Sequence, residues 1–270
     1  MNTNTQPTAA STATQTDCAE YPRSTDDIAT PGCVAQHDRR SALRLLLGAP
    51  LAVACVSLGA PDAAQAAALT KEERDNLSPD QVIERLKQGN ERFRSGKMQN
   101  HDYLAQKRAT ASGQYPVAAI LSCIDSRAPA EIIFDVGIGD TFNARVAGNI
   151  ANDDLIGSLE FACAAAGAKV VLVMGHSACG AVKGAIDSVQ LGHLTALLDK
   201  IKPAIPATTF SGERTSKNAA FVDAVATTNV RHTVDEIRTR SSVLADLEKQ
   251  GKIKIVPSMY YLVGGRVEFL

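Results

Sequence analysis

The stretch Val117-Ala118-Ala119-Ile120-Leu121-Ser122, followed directly by Cys123-Ile124-Asp125-Ser126-Arg127, decides the fold. Its apolar residues run without alternation, which predicts a strand that is buried on both faces. A second run, Lys169-Val170-Val171-Leu172-Val173-Met174, has the same character and leads into Gly175-His176-Ser177-Ala178-Cys179-Gly180. Strands of this kind belong to parallel sheets that are covered by helices on both sides.

The segments around these two strands complete an α/β pattern. Further strands are predicted at residues 142–146, at 252–256, and at 260–263 with 266–269 as a C-terminal hairpin. Helical patterns lie between the strands, and the longest covers residues 218–250 with a break near Arg240. We therefore expect an α/β fold with a mainly parallel central sheet, helices on both faces and a C-terminal antiparallel hairpin.

The first 66 residues differ from the rest of the chain. Arg39 and Arg40 precede a short apolar stretch at residues 45–61, and Ala64-Gln65-Ala66 has the form of a cleavage site. This is the layout of a secretory signal, and paired arginines are typical of twin-arginine export. We predict that residues 1–66 are an export signal and disordered leader and that residues 67–270 form the domain exported to a bacterial periplasm. Lipid anchoring at Cys55 is the alternative.

The composition excludes several classes of partner. The chain has 28 Lys+Arg against 29 Asp+Glu, a net charge of −1, so electrostatics give no argument for nucleic-acid binding. No stretch from residue 62 onward reaches the roughly 18 apolar residues of a membrane-spanning helix, and no stable span is expected. Cys123, Cys163 and Cys179 lie beyond the predicted cleavage site. An odd number of cysteines argues against a disulfide framework and favours a metal site or a free thiol.

The ends of the two buried strands carry the residues with chemistry. Because parallel strands end at one edge of a sheet, Cys123, His176 and Cys179 are expected to converge. Two thiolates and an imidazole favour zinc over magnesium or calcium, and three protein ligands leave one coordination position open, as in catalytic sites. Asp125 and Arg127 lie beside them, and a carboxylate paired with arginine stays ionised and can orient a nucleophile. A non-catalytic zinc-binding or thiol-sensing site is an alternative.

Together these motifs resemble those of the β-class carbonic anhydrases. Cys123-x-Asp125-x-Arg127 and His176-x-x-Cys179 carry the resemblance, and Arg145-x-Ala147-Gly148-Asn149 extends it within about residues 77–270. The resemblance implies one Zn²⁺ per subunit and reversible hydration of CO₂ to bicarbonate and a proton. In that reaction the Asp125/Arg127 pair would orient an attacking zinc-bound hydroxide. Hydrolysis of another small cumulated substrate, such as carbon disulfide, is the alternative activity.

The resemblance also implies a substrate pocket that two subunits share. It assigns a hydrogen bond to Gln114, pocket walls to Phe142 and Ala147, and an N–H donor to Gly180, with Gln114 and Phe142 contributed by the facing subunit. A homodimer or a dimer of dimers is therefore expected. In part of the family the aspartate that matches Asp125 binds zinc directly at low pH, and the sequence does not choose between the two arrangements.

Overall fold

The structure is a computed structural model that describes residues 68–270. The predictions made for the export signal, its twin arginines, its cleavage site and Cys55 lie outside the described residues. Within residues 68–270, no helix combines the length and the apolar character that crossing a bilayer requires.

Among residues 68–270, five strands form one central sheet. They are β1 Ala118–Ser122, β2 Thr141–Arg145, β3 Val170–His176, β4 Lys254–Tyr260 and β5 Val267–Phe269. Their order across the sheet is β2-β1-β3-β4-β5. The first four strands pair in parallel, whereas β4 and β5 are antiparallel. The expected mainly parallel sheet with a C-terminal antiparallel pair is confirmed.

Helices surround this sheet. In the described part of the chain the α-helices are α1 Lys71–Asp75, α2 Pro79–Ser95, α3 Tyr103–Ala109, α4 Ala130–Ile133, α5 Asp153–Glu160, α6 Gly180–Ile186, α7 Gly192–Asp199, α8 Ala204–Ala207, α9 Ala219–Arg240 and α10 Ser242–Lys249. Local sequence sets several of their ends. Ser78 caps α2 by accepting the Gln81 N–H, with proline at the first helical position. Ser241 separates α9 from α10 and caps the latter, as the break near Arg240 predicted.

Both faces of the sheet are buried under these helices. In β3, Val171 and Val173 belong to a core shared with α5, α6, α9 and α10. Val170, Leu172 and Met174 belong to a second core, shared with α2 and α4. Since each residue from Val170 to Met174 faces one core or the other, this part of the strand needs apolar side chains at every position.

The C-terminal strands differ from the prediction. Residues 252–256 and 260–263 were expected to be separate strands, but β4 runs continuously between them and pairs with β3 from Val170 to His176. Pro257 lies inside β4. Proline has no N–H for the ladder, yet β4 keeps its register with β3 across Pro257, which is level with Val173. After β4 the chain reverses through Gly264 and Gly265, both at positive φ, into β5.

Candidate metal centre

Cys123, His176 and Cys179 meet at the carboxyl edge of the sheet, as predicted. Cys123 directly follows β1, His176 is the last residue of β3, and Cys179 immediately precedes α6. All three side chains are buried, and their potential ligand atoms lie within 4.8 Å of one another. Adjacent parallel strands that end at nearly the same level have brought together residues that are more than 50 positions apart in the chain.

The hydrogen bonds of His176 leave one ring nitrogen free. Its Nδ1–H donates to the carbonyl oxygen of Ser177 at 2.9 Å, which leaves the lone pair on Nε2. Nε2 is buried and has no hydrogen-bond partner among the described residues. A buried polar atom without a partner is unfavourable, and a metal ion bound at Nε2 would satisfy it.

The two thiols of the site have opposite pKa shifts. Interaction with Cys179 lowers the pKa of Cys123 to about 4 against the effect of burial, with contributions from His176 and from the Gly148 N–H, which lies 3.3 Å from Sγ. The Cys123 thiolate and burial together raise the pKa of Cys179. Burial lowers the pKa of His176, but the interactions with Cys123, Ser177 and Asp125 raise it overall. Only a cation between the two sulfurs would stabilise both as thiolates, so the donor set fits a thiophilic divalent ion such as Zn²⁺.

Cys123, His176 and Cys179 form a cluster of candidate metal ligands. Arg127 holds Asp125 beside this cluster. The guanidinium donates from Nε to Oδ1 at 3.0 Å and from Nη2 to Oδ2 at 2.8 Å, and the Arg127 backbone N–H donates to Oδ1 at 3.0 Å. Although burial opposes them, these bonds hold the pKa of Asp125 well below the usual carboxyl range. The ionised Oδ2 lies 3.8 Å from Nε2 of His176, at the edge of the cluster.

Arg145 supports the candidate site, although its sequence motif alone indicates no role for it. From the end of β2 it donates through Nε to the carbonyl oxygen of Cys123 at 2.9 Å and through Nη2 to that of Asp125 at 2.6 Å. It therefore fixes the backbone that carries both side chains. The one indication in the sequence is that Arg145 begins the motif Arg145-x-Ala147-Gly148-Asn149.

Asp223 is a second residue that the sequence reasoning missed. It lies on α9, and its Oδ1 accepts the backbone N–H of Ala178 at 2.8 Å, between His176 and Cys179. The two contact partners are 45 residues apart in the chain. No local pattern signals such a contact.

Of the predicted substrate residues, Ala147 and Gly180 lie beside residues of the metal site, whereas Gln114 and Phe142 lie away from it. Ala147 precedes Gly148, the donor to the Cys123 sulfur, and Gly180 follows Cys179 with open space where a side chain would lie. Gln114, in contrast, is exposed in the loop before β1, at the opposite end of that strand from Cys123. Phe142 pairs in register with Ala119 and packs against Phe161, with ring centroids 6.1 Å apart. Within residues 68–270 of one chain, Gln114 and Phe142 lie away from the cluster.

The fold and the cluster together define an α/β protein with a candidate Cys–His–Cys metal centre at the carboxyl edge of a parallel sheet. The family model described as carbonic anhydrase matches residues 118–267. "Carbonic anhydrase 2" of Mycobacterium tuberculosis is 36% identical over 197 residues, which cover 71% of this chain and 92% of that protein. The carbonic anhydrase of Mycolicibacterium smegmatis is 32% identical over 199 residues, 72% of this chain and 94% of the relative. The chain belongs to the carbonic anhydrase family.

Solved structures share the fold. The β-carbonic anhydrase CafA of Aspergillus fumigatus superposes with a TM-score of 0.54 at 24% identity, over 60% of this chain and 79% of that one. A β-carbonic anhydrase of Sordaria macrospora, described as tetrameric, gives a TM-score of 0.53 at 24% identity, over 59% and 83% of the two chains. At this identity the likeness concerns the fold.

Proposed function

We propose that this chain catalyses the reversible hydration of CO₂ to bicarbonate and a proton, with one Zn²⁺ per subunit held by Cys123, His176 and Cys179. One observation carries the proposal: three buried zinc-type ligands converge, with an unsatisfied imidazole nitrogen, in a member of the carbonic anhydrase family. The relatives of M. tuberculosis and M. smegmatis are both named for this activity.

The protein groups around the cluster have separate tasks in this proposal. When bound, Zn²⁺ supplies a Lewis acid that lowers the pKa of a water molecule to near neutrality. Asp125 accepts a hydrogen bond from the attacking water and directs its lone pair at the carbon of CO₂. Arg127 lowers the pKa of Asp125 and holds its carboxylate in place. The N–H of Gly180 donates to the substrate oxygen that becomes negative as the new bond forms.

The contacts of Asp125 favour this orienting role over direct binding to the metal. Its two carboxylate oxygens accept three hydrogen bonds from Arg127. To become a metal ligand, Asp125 would have to give up at least part of this paired geometry. A pH–activity profile combined with X-ray absorption at the zinc edge distinguishes the two arrangements, because direct binding adds an oxygen ligand at low pH.

We further propose that the chain forms a homodimer or a dimer of dimers in which Gln114 and Phe142 of one subunit complete the pocket of the next. In support, β2 has no neighbour on its outer side within the described sheet. Phe161 beside it is 58% exposed, and Ile132 and Ile138 are exposed as well. The relative from S. macrospora is described as tetrameric.

Subunit mixing tests this shared pocket. Gln114→Ala and Cys123→Ser chains are each expected to lose most activity. In a mixed dimer, one pocket combines the intact ligands of the first chain with the intact Gln114 of the second. Activity that appears on mixing, and that neither variant shows alone, is the expected result. Mixtures without recovery, in samples that exchange subunits, would contradict the shared pocket.

We propose that residues 1–66 direct export of the domain at residues 67–270 to the periplasm by the twin-arginine route. This route carries folded proteins, so zinc bound before export would protect Cys123 and Cys179, which are free thiols here, from an oxidising compartment. Replacing Arg39 and Arg40 with Lys should retain the enzyme in the cytoplasm. Active enzyme still found outside would contradict this route, and fatty-acid labelling of the product tests the lipid anchor at Cys55.

Stopped-flow CO₂ hydration by the full chain, with its zinc quantified, tests the proposed activity. We expect turnover that is lost when zinc is removed with a chelator and restored when zinc is returned. A zinc-loaded protein that hydrolyses carbon disulfide but does not hydrate CO₂ would support the alternative substrate. A zinc-loaded protein inactive on both would support a non-catalytic role, and protein that binds no zinc would remove the basis of the proposal.

A further inference from the structure

One peptide group connects Asp223 to His176. The N–H of this group, contributed by Ala178, donates to Oδ1 of Asp223 at 2.8 Å. Its carbonyl, contributed by Ser177, accepts the Nδ1–H of His176 at 2.9 Å. The N–H and C=O of a trans peptide point in opposite directions, so the group can bridge two partners. The result is a continuous series of hydrogen bonds from a carboxylate, through a peptide, to an imidazole.

The backbone at this peptide has an unusual conformation. Ala178 has a φ of +55°, in the left-handed region that residues with a side chain rarely adopt. Other contacts hold the neighbouring residue: the Ser177 N–H donates to the carbonyl of Tyr260, and Ser177 Oγ accepts the N–H of Leu262. The contact from Ala178 to Asp223 ties the reversed part of the loop to α9, directly before the ligand Cys179.

We propose that Asp223 is a positioning residue for the metal centre. Through the Ser177–Ala178 peptide it fixes the ring of His176 and strengthens Nε2 as a ligand. This inference rests on the proposed zinc site. A histidine that binds a metal commonly donates its second N–H to a carboxylate or a carbonyl, which sets the tautomer and raises the basicity of the ligand. Here the acceptor is a carbonyl whose own peptide is polarised by a carboxylate on the far side.

The test compares Asp223→Ala and Asp223→Asn in the full chain with Asp235→Ala as a matched control. Asp235 lies on the same helix, but its side chain is 73% exposed and its nearest charged partner is Arg238, at 3.7 Å. Zn²⁺ affinity is measured by competition with a chromophoric chelator. The absorption bands of the Co²⁺-substituted proteins report the ligand field directly.

Asp223→Ala should bind Zn²⁺ about 10- to 100-fold more weakly, the usual range for loss of an outer partner of a metal-binding histidine. Its Co²⁺ bands should shift. Asp223→Asn keeps an oxygen acceptor but loses the charge, so its affinity should lie between that of Asp223→Ala and that of the unsubstituted chain. Asp235→Ala should match the unsubstituted chain in both measurements.

Several results would overturn the inference. A folded Asp223→Ala protein with unchanged Zn²⁺ affinity and Co²⁺ spectrum would do so, even with a lower melting temperature, because that combination shows a structural role only. If the alanine variant does not fold, Asp223→Asn decides, and an affinity and spectrum equal to those of the unsubstituted chain reject the proposal. If the unsubstituted chain itself binds no zinc, the proposed function fails and this inference fails with it.

Discussion

Replacing Arg127 with alanine separates two ways in which Arg127 can help Asp125, by keeping it ionised and by keeping it in place. The substitution removes the hydrogen bonds from Nε at 3.0 Å and Nη2 at 2.8 Å and leaves the one from the backbone N–H. Without the guanidinium, the depressed pKa of Asp125 should rise toward the ordinary aspartate value of about 3.9. That value is still about three units below pH 7, so Asp125 stays ionised at neutral pH.

The loss of turnover at pH 7 therefore measures orientation rather than charge. A carboxylate with only its backbone contact can move by about 1 Å, and a displacement of that size costs about 100-fold in rate. We expect kcat for CO₂ hydration to fall about 100-fold with the zinc content unchanged. Arg127→Lys keeps the positive charge but cannot form two parallel bonds, so it should recover only part of the rate.

The pH dependence of the ratio of the two rates tests this reasoning. Stopped-flow measurements of both proteins from about pH 7 to about pH 9 should give a constant ratio of kcat values, since Asp125 is ionised throughout. A ratio that approaches one as the pH rises would show that protonation of Asp125 causes the loss. A variant with full zinc and unchanged kcat at pH 7 would remove Arg127 from the mechanism.

Four further predictions concern packing, loop geometry and metal binding. Gly89→Ala should lower the free energy of unfolding, measured by urea denaturation, by about 3 kcal/mol or more. The reason is that a Cβ at this position would overlap the backbone carbonyl of Phe134. Gly157→Ala, at an exposed position of α5 with open space where the Cβ would lie, should raise this free energy by about 0.5–1 kcal/mol. Arg145→Ala removes the hydrogen bonds that hold the backbone carbonyls of Cys123 and Asp125, and it should lower kcat about tenfold or more with zinc still bound. Zinc affinity, measured by chelator competition, should rise from about pH 6 to about pH 9, since Cys179 and His176 have raised pKa values and must lose protons to bind the metal; a flat profile would contradict this.

The parts of the fold that the sequence predicts are those in which local pattern and burial agree. β1 and β3 were evident because the positions of a strand that two cores enclose all need apolar residues. Ser78 and Ser241 mark helix starts because their hydroxyls accept backbone N–H groups. The sequence pattern placed strands on either side of residues 257–259, whereas the continuous course of β4 follows from its pairing with β3.

The same distinction applies to the site. Cys123, His176 and Cys179 could be found because each follows or ends a buried strand, and Asp125 and Arg127 form their ion pair across only two positions. Arg145 and Asp223 act across 22 and 45 positions, through bonds to backbone groups that any residue carries. Such contacts leave no residue-specific pattern in the sequence and depend on how the elements pack.

The arrangement of the chain separates holding a metal from completing a substrate pocket. β1 has five residues and spans about 16 Å at roughly 3.3 Å per residue, so Gln114 before it and Cys123 after it cannot contact one molecule as small as CO₂. Phe142, level with Ala119, lies about 13 Å along the sheet from the level of Cys123. All three candidate ligands and their supports Arg145 and Asp223, in contrast, come from one chain. If Gln114 and Phe142 contact substrate as proposed, zinc binding belongs to the single subunit, and full turnover requires a second copy against the outer edge of β2.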